Sequence, residues 1–424
     1  MKRKLLIPVA VLLLISLLLT ACGQGSVLPV DTGEETVSVT AEEKRVGVTV
    51  LEPFDRSELD ALPTATSYMS EEELRRIVVE YYRMQGTIPW TPDKDTHFFI
   101  TATDKDNRVS ADSVYCGLPY TSAGTSLYTF LDYYDGETGI FSNPYGSNMG
   151  SVFGDNCSTS VYWAWARVSS RITFHATTTM TRLRGAVKVG DYVLDESKEA
   201  FDKNYNTGHV CAENGLEVMS AAYACLKPGD GLVVYDNNVE PLRHHAMMAT
   251  QVDITYKASG EIDPDASTVA LYQQDNRMDP TVLESGQEAY AIAPMSKVYS
   301  FRKLFAAHYI PVTCPELAGQ APVEKASAAV QAENGATLTP DELKNETLIT
   351  NYCLSKVTLT LTDGAGKTVK ENFAYGKVDT YTYPFSSLVG PMTRELAPGT
   401  YKLTITALVG NGETLTAFEG TLKV

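Results

Sequence analysis

The stretch GDNCSTSVYWAWARV, residues 154–168, decides how the rest of the chain is read. Its one cysteine, Cys157, follows Asp155 and Asn156, residue types that cap helices by accepting hydrogen bonds from first-turn amides. Beyond it Val161, Ala164, Trp165 and Val168 recur at the spacing of one helix face. The pattern predicts a helix that starts at Cys157. In a first turn the unpaired N–H groups and the helix dipole favour an anion, so a thiol there ionises more readily. The competing readings of Cys157 are half of a disulfide and a small buried hydrophobe. Tyr162, Trp163 and Trp165 read as packing rather than as a platform for sugars.

A cysteine nucleophile needs a base. The segment LKPGDGLVVYDNNVEPLRHHAMMATQVDI predicts a turn at Pro228-Gly229-Asp230, a strand over 232–235, a loop, and a strand opening at His245. His245 precedes the apolar run Ala246, Met247, Met248, Ala249, so it stands at the mouth of a buried strand, with a satisfied core histidine as the bland reading. Side chains alternate along a strand, so His244 faces the other way. A third strand, TVALYQQDN, ends in Gln273, Gln274, Asp275 and Asn276, any of which can hold an imidazole in one tautomer. Alternation from Val269 and Leu271 favours Gln273, with Gln274 kept beside it. His175 and His209 fall in polar insertions and read as solvent-facing.

This order of parts resembles the NlpC-type cell-wall peptidases and the related CHAP amidases, which are papain-like cysteine hydrolases. Asn156-Cys157-Ser158 is similar to their Asp-Cys-Ser motif, one position different. Upstream, CGLPYTSAG at 116–124 is similar to their Gly-x-Pro-Tyr segment, in which Tyr120 matches a tyrosine lining the active site. The resemblance covers residues 110–312. It implies Cys157 as nucleophile, His245 as base, Gln273 or Gln274 as the residue steadying the base, and Tyr120, Asn156 and Ser158 beside the substrate. It implies a peptidoglycan stem peptide as substrate and requires no metal or cofactor. The chain departs from the pattern in three ways. About thirty residues separate the Gly-x-Pro-Tyr-like piece from Cys157, a second long insertion fills 177–226, and the third strand carries glutamine.

The first 22 residues, MKRKLLIPVAVLLLISLLLTAC, have a basic start, an apolar run and a small-residue end, the order of an export signal. Leu19-Thr20-Ala21-Cys22 resembles the bacterial lipobox, which implies acylation of Cys22 and attachment to a membrane surface on the exported side. A net charge of −17 over 424 residues argues against nucleic acid as a partner. Seven cysteines leave six beyond Cys22, so disulfides are allowed in an exported chain, Cys211–Cys225 among them. No Cys-x-x-Cys occurs, which argues against structural zinc.

Residues 23–66 read as a tether with a short strand at RVGVTVL. SYMSEEELRRIVVEYYRMQG then predicts a helix capped by Ser70 with Glu73 and stopped at Gly86. The resemblance implies that residues 67–315 form a papain-like hydrolase domain, of α+β class with large insertions, and 316–345 read as an Ala/Glu/Pro-rich linker with room for helical pieces. In 346–424 alternating strands and Gly-rich turns predict a small all-β sandwich, immunoglobulin-like in general character and with a core of its own. GAGKT at 364–368 imitates a phosphate loop but falls in a hairpin, with Leu361 where the first glycine belongs, so nucleotide binding is rejected. Two readings other than hydrolysis follow from the same features. One is a lipoprotein that binds a ligand in the cleft without cleaving it; the other is an adhesive surface protein working through its C-terminal part.

Overall fold

The computed structural model describes residues 50–51, 56–97, 108–144, 153–170, 172, 186–195, 197–198, 201–240, 242–275, 278–292 and 296–424. Cys22 and the export signal, most of the expected tether, His175 and Asn276 lie outside them. The described chain is mixed α+β, with several β-sheets and few helices.

Helices α1 (Arg56–Ala61) and α2 (Glu71–Thr87) come first. Ser70 and Glu73 close the expected capping box, and Leu74, Ile77, Val78 and Tyr81 are buried. The folded part begins earlier than residue 67. α1 packs Leu59 into the main core, and a strand pair forms already at Val50–Leu51. A short α3 (Leu127–Leu131) precedes α4 (Cys157–Trp165), every residue of which is buried. α5 (Thr207–Ala224) is kinked at Gly215, and α6 spans Phe301–Ala306.

Against these helices lies a six-stranded sheet. Its strands are β1 (Val187–Lys188), β2 (Gly231–Asp236), β3 (Arg243–Asp253), β4 (Thr268–Gln273), β5 (Ser296–Ser300) and β6 (Ile310–Thr313), in the order β5-β4-β3-β2-β6-β1. The expected turn before β2 is present. Gly229 adopts a positive φ of 91°, and Asp230 closes the turn by accepting from the Lys227 amide at 2.8 Å. Asp230 also receives Arg75 of α2 at 2.8 Å, and Arg75 donates further to the carbonyls of Pro228 and Leu317. The turn is thereby tied to α2 from inside the protein. Burial raises the Asp230 carboxyl above its usual range, with the adjoining Arg75 charge opposing.

A second core lies further along the chain. β7 (Thr337–Leu338), β8 (Leu354–Thr362), β9 (Thr368–Tyr375), β10 (Thr400–Val409) and β11 (Thr414–Lys423) form a sheet in the order β7-β11-β10-β8-β9. The hairpin expected around GAGKT is β8–β9, turning at Gly366. This part is not all-β. Helices α7 (Pro340–Asn345) and α8 (Ser386–Thr393) bury Leu343, Leu388, Val389 and Met392 in the same core. Residues 316–345, expected as a linker, carry Leu317 and Val323 in the first core and Ala326, Leu338 and Leu343 in the second. Their Ala/Pro-rich composition hides apolar positions that are too far apart to show a period.

The two cores meet behind α4. The Tyr162 hydroxyl accepts from the Asp379 amide at 3.1 Å and lies 3.2 Å from the Tyr381 hydroxyl. Arg167, 2% exposed, sits 2.7 Å from the Tyr128 hydroxyl, and the backbone at Gly412 passes directly over it. Val378 donates its amide to Gly124 at 3.0 Å, and Lys356 reaches Asp132 at 2.7 Å.

Candidate active site

α4 begins as its sequence requires. Asn156 is the N-cap; its Oδ1 accepts from the amides of Ser158 at 3.1 Å and Thr159 at 3.2 Å, and Thr159 returns the bond to the Asn156 amide at 2.7 Å. The cap serves the second and third amides of the helix and not that of Cys157. Cys157 is 4% exposed. Ser158, expected beside the substrate, is fully buried with its hydroxyl 2.8 Å from Asn156 Oδ1. The cap engages the Asn156 Oδ1 and the Ser158 hydroxyl, so both residues build the turn.

The segment holding Tyr120 runs beside this turn. Tyr120 and Asp155 form a parallel bridge, in which Thr121 donates to the Asp155 carbonyl at 2.7 Å and Asp155 donates to that of Pro119 at 3.2 Å. The approach requires glycine at 154, whose φ is 95° and where a Cβ would lie 2.1 Å from the Pro119 oxygen. Tyr120 itself is 8% exposed.

His245 comes from β3. Met247 of that strand stands opposite Gln273 of β4, so His245 and Gln273 are diagonal neighbours on one face of the sheet. His245 Nε2 lies 3.2 Å from Gln273 Oε1. Cys157 lies close enough to the imidazole to influence its titration. Burial is the largest influence and works to lower the His245 pKa; Cys157, Asp275 and Gln273 together outweigh it, and the net shift is upward. Cys157, His245 and Gln273, widely separated in the chain, are thus brought together. His244 faces the other side, stacked on Tyr235 with ring centroids 4.3 Å apart.

Gln274 does not join them. It lies just past the end of β4, donates to the Leu118 carbonyl at 2.9 Å and receives the Ser160 hydroxyl. Only one of the two adjacent glutamines reaches the histidine, because successive side chains along an extended strand point to opposite faces. Beside Gln274 and Ser160 is the Asp155 carboxyl, fully buried. Burial pushes it up to about 8, and nearby Ser160 and Gln274 offset part of this by favouring the ionised form. Neither carboxyl oxygen, however, meets hydrogen-bond geometry. The sequence suggested only a capping role for Asp155; Asp275, one of the four polar residues expected near the base, lies against Gln273, its Oδ2 3.4 Å from the amide nitrogen.

The remaining candidates are structural. Tyr162, Trp163 and Trp165 are fully buried, with the indole nitrogens donating to the carbonyls of Gly124 and Gly229. All six described cysteines are free thiols; Cys211 is buried, whereas Cys225 is exposed at the end of α5, so the two are not paired. His209 is exposed. Among the described residues no group of three or more His, Cys, Asp or Glu is placed to hold a metal.

No family model matches the chain, and no curated protein matches it. Among solved structures, it is similar to CopC from Methylosinus trichosporium OB3b at 18% identity, over 23% of this chain and 94% of that one, with a TM-score of 0.16. A polysaccharide deacetylase from Bacillus cereus matches at 16% identity over 24% of this chain and 30% of that one, with a TM-score of 0.15. A mixed-linkage glucan utilization protein of Bacteroides ovatus, solved with a heptasaccharide, matches at 17% identity over 47% and 44%, with a TM-score of 0.11. At such scores the likenesses carry no argument.

Proposed function

We propose that the protein is a cysteine hydrolase that cleaves an amide bond, with peptidoglycan stem peptides as its substrate class. The observation that carries this reading is the Cys157–His245–Gln273 arrangement, a thiol on the first residue of a buried helix, near enough to an imidazole to raise its pKa, with the imidazole in turn hydrogen-bonded to an amide oxygen. A cysteine-bearing helix packed on an antiparallel sheet that supplies the histidine and its partner also supports a papain-like description of this part. In the same reading the C-terminal β-sheet part is immunoglobulin-like, with two helices added.

Chemically, the Cys157 thiolate attacks the carbonyl carbon, and the charge that develops on the oxygen is met by backbone N–H groups at the helix start, that of Cys157 included. The His245 imidazolium gives its proton to the departing amine. Water, deprotonated by His245, then releases the acid and restores the thiol. Gln273 holds the ring by its Nε2, which leaves Nδ1 for the sulfur.

The lipobox-like Leu19-Thr20-Ala21-Cys22 supports an exported, lipid-anchored protein. Among the described residues no helix is long and apolar enough to cross a membrane. Cys22→Ala should move the protein from the detergent phase to the aqueous phase; equal partitioning would sink the anchor.

The test of the activity is release of new amines from peptidoglycan fragments by the full mature chain. Wild type should hydrolyse them, and Cys157→Ala should not while melting at a similar temperature. Binding of the fragments with no turnover by either chain would instead favour a ligand-holding lipoprotein.

A further inference from the structure

We propose that Asp275 is a positioning residue that fixes the orientation of the Gln273 amide and, through it, the tautomer of His245; the inference rests on the cysteine-hydrolase reading above. A glutamine amide is ambivalent, since Oε1 accepts hydrogen bonds and Nε2 donates them. Facing an imidazole alone, it satisfies the ring nitrogen in either orientation, and the two tautomers become close in energy. Gln273 does not face the imidazole alone. Its Nε2 lies 3.4 Å from Asp275 Oδ2, while its Oε1 lies 3.2 Å from His245 Nε2.

A carboxylate only accepts. With Asp275 ionised, the NH2 end of Gln273 must face it, the oxygen must face the histidine, and the ring must carry its proton on Nε2. Nδ1 is then the basic nitrogen turned to Cys157. An aspartate in direct contact with the base does this in one step; here the same instruction passes through an amide. The arrangement gives a physical reason why glutamine suffices at the end of β4, where it would otherwise be a weak choice. The groups that face the imidazole are Cys157 from α4 and Gln273 and Asp275 from the end of β4, and the negative charge of Asp275 also favours the imidazolium.

Two measurements on the full mature chain test this. In a Cys157→Ala background, nitrogen NMR of the neutral His245 ring reads which nitrogen carries the proton. The proton should sit on Nε2 when Asp275 is present, and Asp275→Ala should give a mixture of tautomers. In the chain that retains Cys157, Asp275→Ala should slow alkylation of Cys157 by iodoacetamide near neutral pH by about tenfold, the direction imposed by a wrong tautomer. Adding Gln273→Glu, which places an acceptor-only group directly on the ring, should restore the rate to within about threefold. An unchanged tautomer in Asp275→Ala, or a rate loss that Gln273→Glu fails to restore, overturns the proposal. If wild-type Cys157 reacts no faster than exposed Cys225, the hydrolase reading falls instead, and the tautomer measurement alone decides the role of Asp275.

Discussion

His245 Nε2 faces Gln273 Oε1 at 3.2 Å, whereas the adjacent Gln274 spends its amide on the Leu118 carbonyl. Two neighbouring residues of one type are thereby given different work. Gln273→Ala should leave folding nearly intact and reduce Cys157 reactivity and hydrolysis by about tenfold or more, because the ring loses its orienting partner. Gln274→Ala should act mainly on stability, by about 1–3 kcal/mol, since it strands buried partners. Denaturation curves and alkylation rates of both variants check the division; equal effects on reactivity would contradict it.

Asp155 makes stability fall with pH. Its carboxyl titrates at about 8 in the folded chain, against about 4 for a free aspartate. Between these values the folded protein keeps a proton that the unfolded chain has lost, so stability is full below about pH 4 and declines until about pH 8. The loss from this one group is on the order of 5 kcal/mol. Asp155→Asn keeps the shape and removes the titration. Urea denaturation at acid and mildly alkaline pH should show a much flatter profile for the variant; parallel profiles would mean that Asp155 is ionised in the fold.

The turn before β2 depends on a buried ion pair. Asp230 accepts from Arg75 at 2.8 Å with side-chain exposures of 1% and 9%. Asp230→Ala leaves the guanidinium inside with only the half-exposed Glu71 carboxylate, 2.7 Å from its Nε, as charge partner, and should cost about 3 kcal/mol. The variant's denaturation midpoint reads this directly, and a change under about 0.5 kcal/mol, the size of an ordinary surface substitution, would show the pair to be dispensable.

The C-terminal part should be required by the first. The Tyr162 hydroxyl, five residues along α4 from Cys157, lies against Asp379 and Tyr381. Tyr162→Phe should cost about 1 kcal/mol. Ending the chain at residue 324 uncovers Tyr162 and Arg167 together, and the product should melt well below the full chain or aggregate. A shortened chain as stable as the whole would mean that the two cores are independent.

Local signals were legible. The Asn156 cap, the Ser70–Glu73 box, the Pro228-Gly229-Asp230 turn and the β8–β9 hairpin are short-range devices, each complete within a few residues. Cys157 and Gln273 could be named because each sits at an element end that the pattern marked; His245 was named at the expected start of its strand, which in the structure opens two residues earlier, at Arg243. The roles expected of Ser158 and Gln274 did not survive, since a polar side chain carries no mark of whether solvent or a backbone carbonyl will meet it. α7 falls in the 316–345 segment, where helical pieces were expected, whereas α8 was missed because an eight-residue helix in a strand-rich region produces too little periodicity to register.

By itself the sequence determined where the Cys157 helix begins and roughly where the strands carrying His245 and Gln273 lie, because caps, turns and alternation act between near neighbours. Only the tertiary structure decided which glutamine meets His245, that the Asp155 carboxyl is sealed without a hydrogen-bond partner, that Asp275 closes on Gln273, and that residues 326–424 cover the back of α4. Those outcomes follow from strand register and from contacts between residues far apart in the chain, which no local pattern encodes.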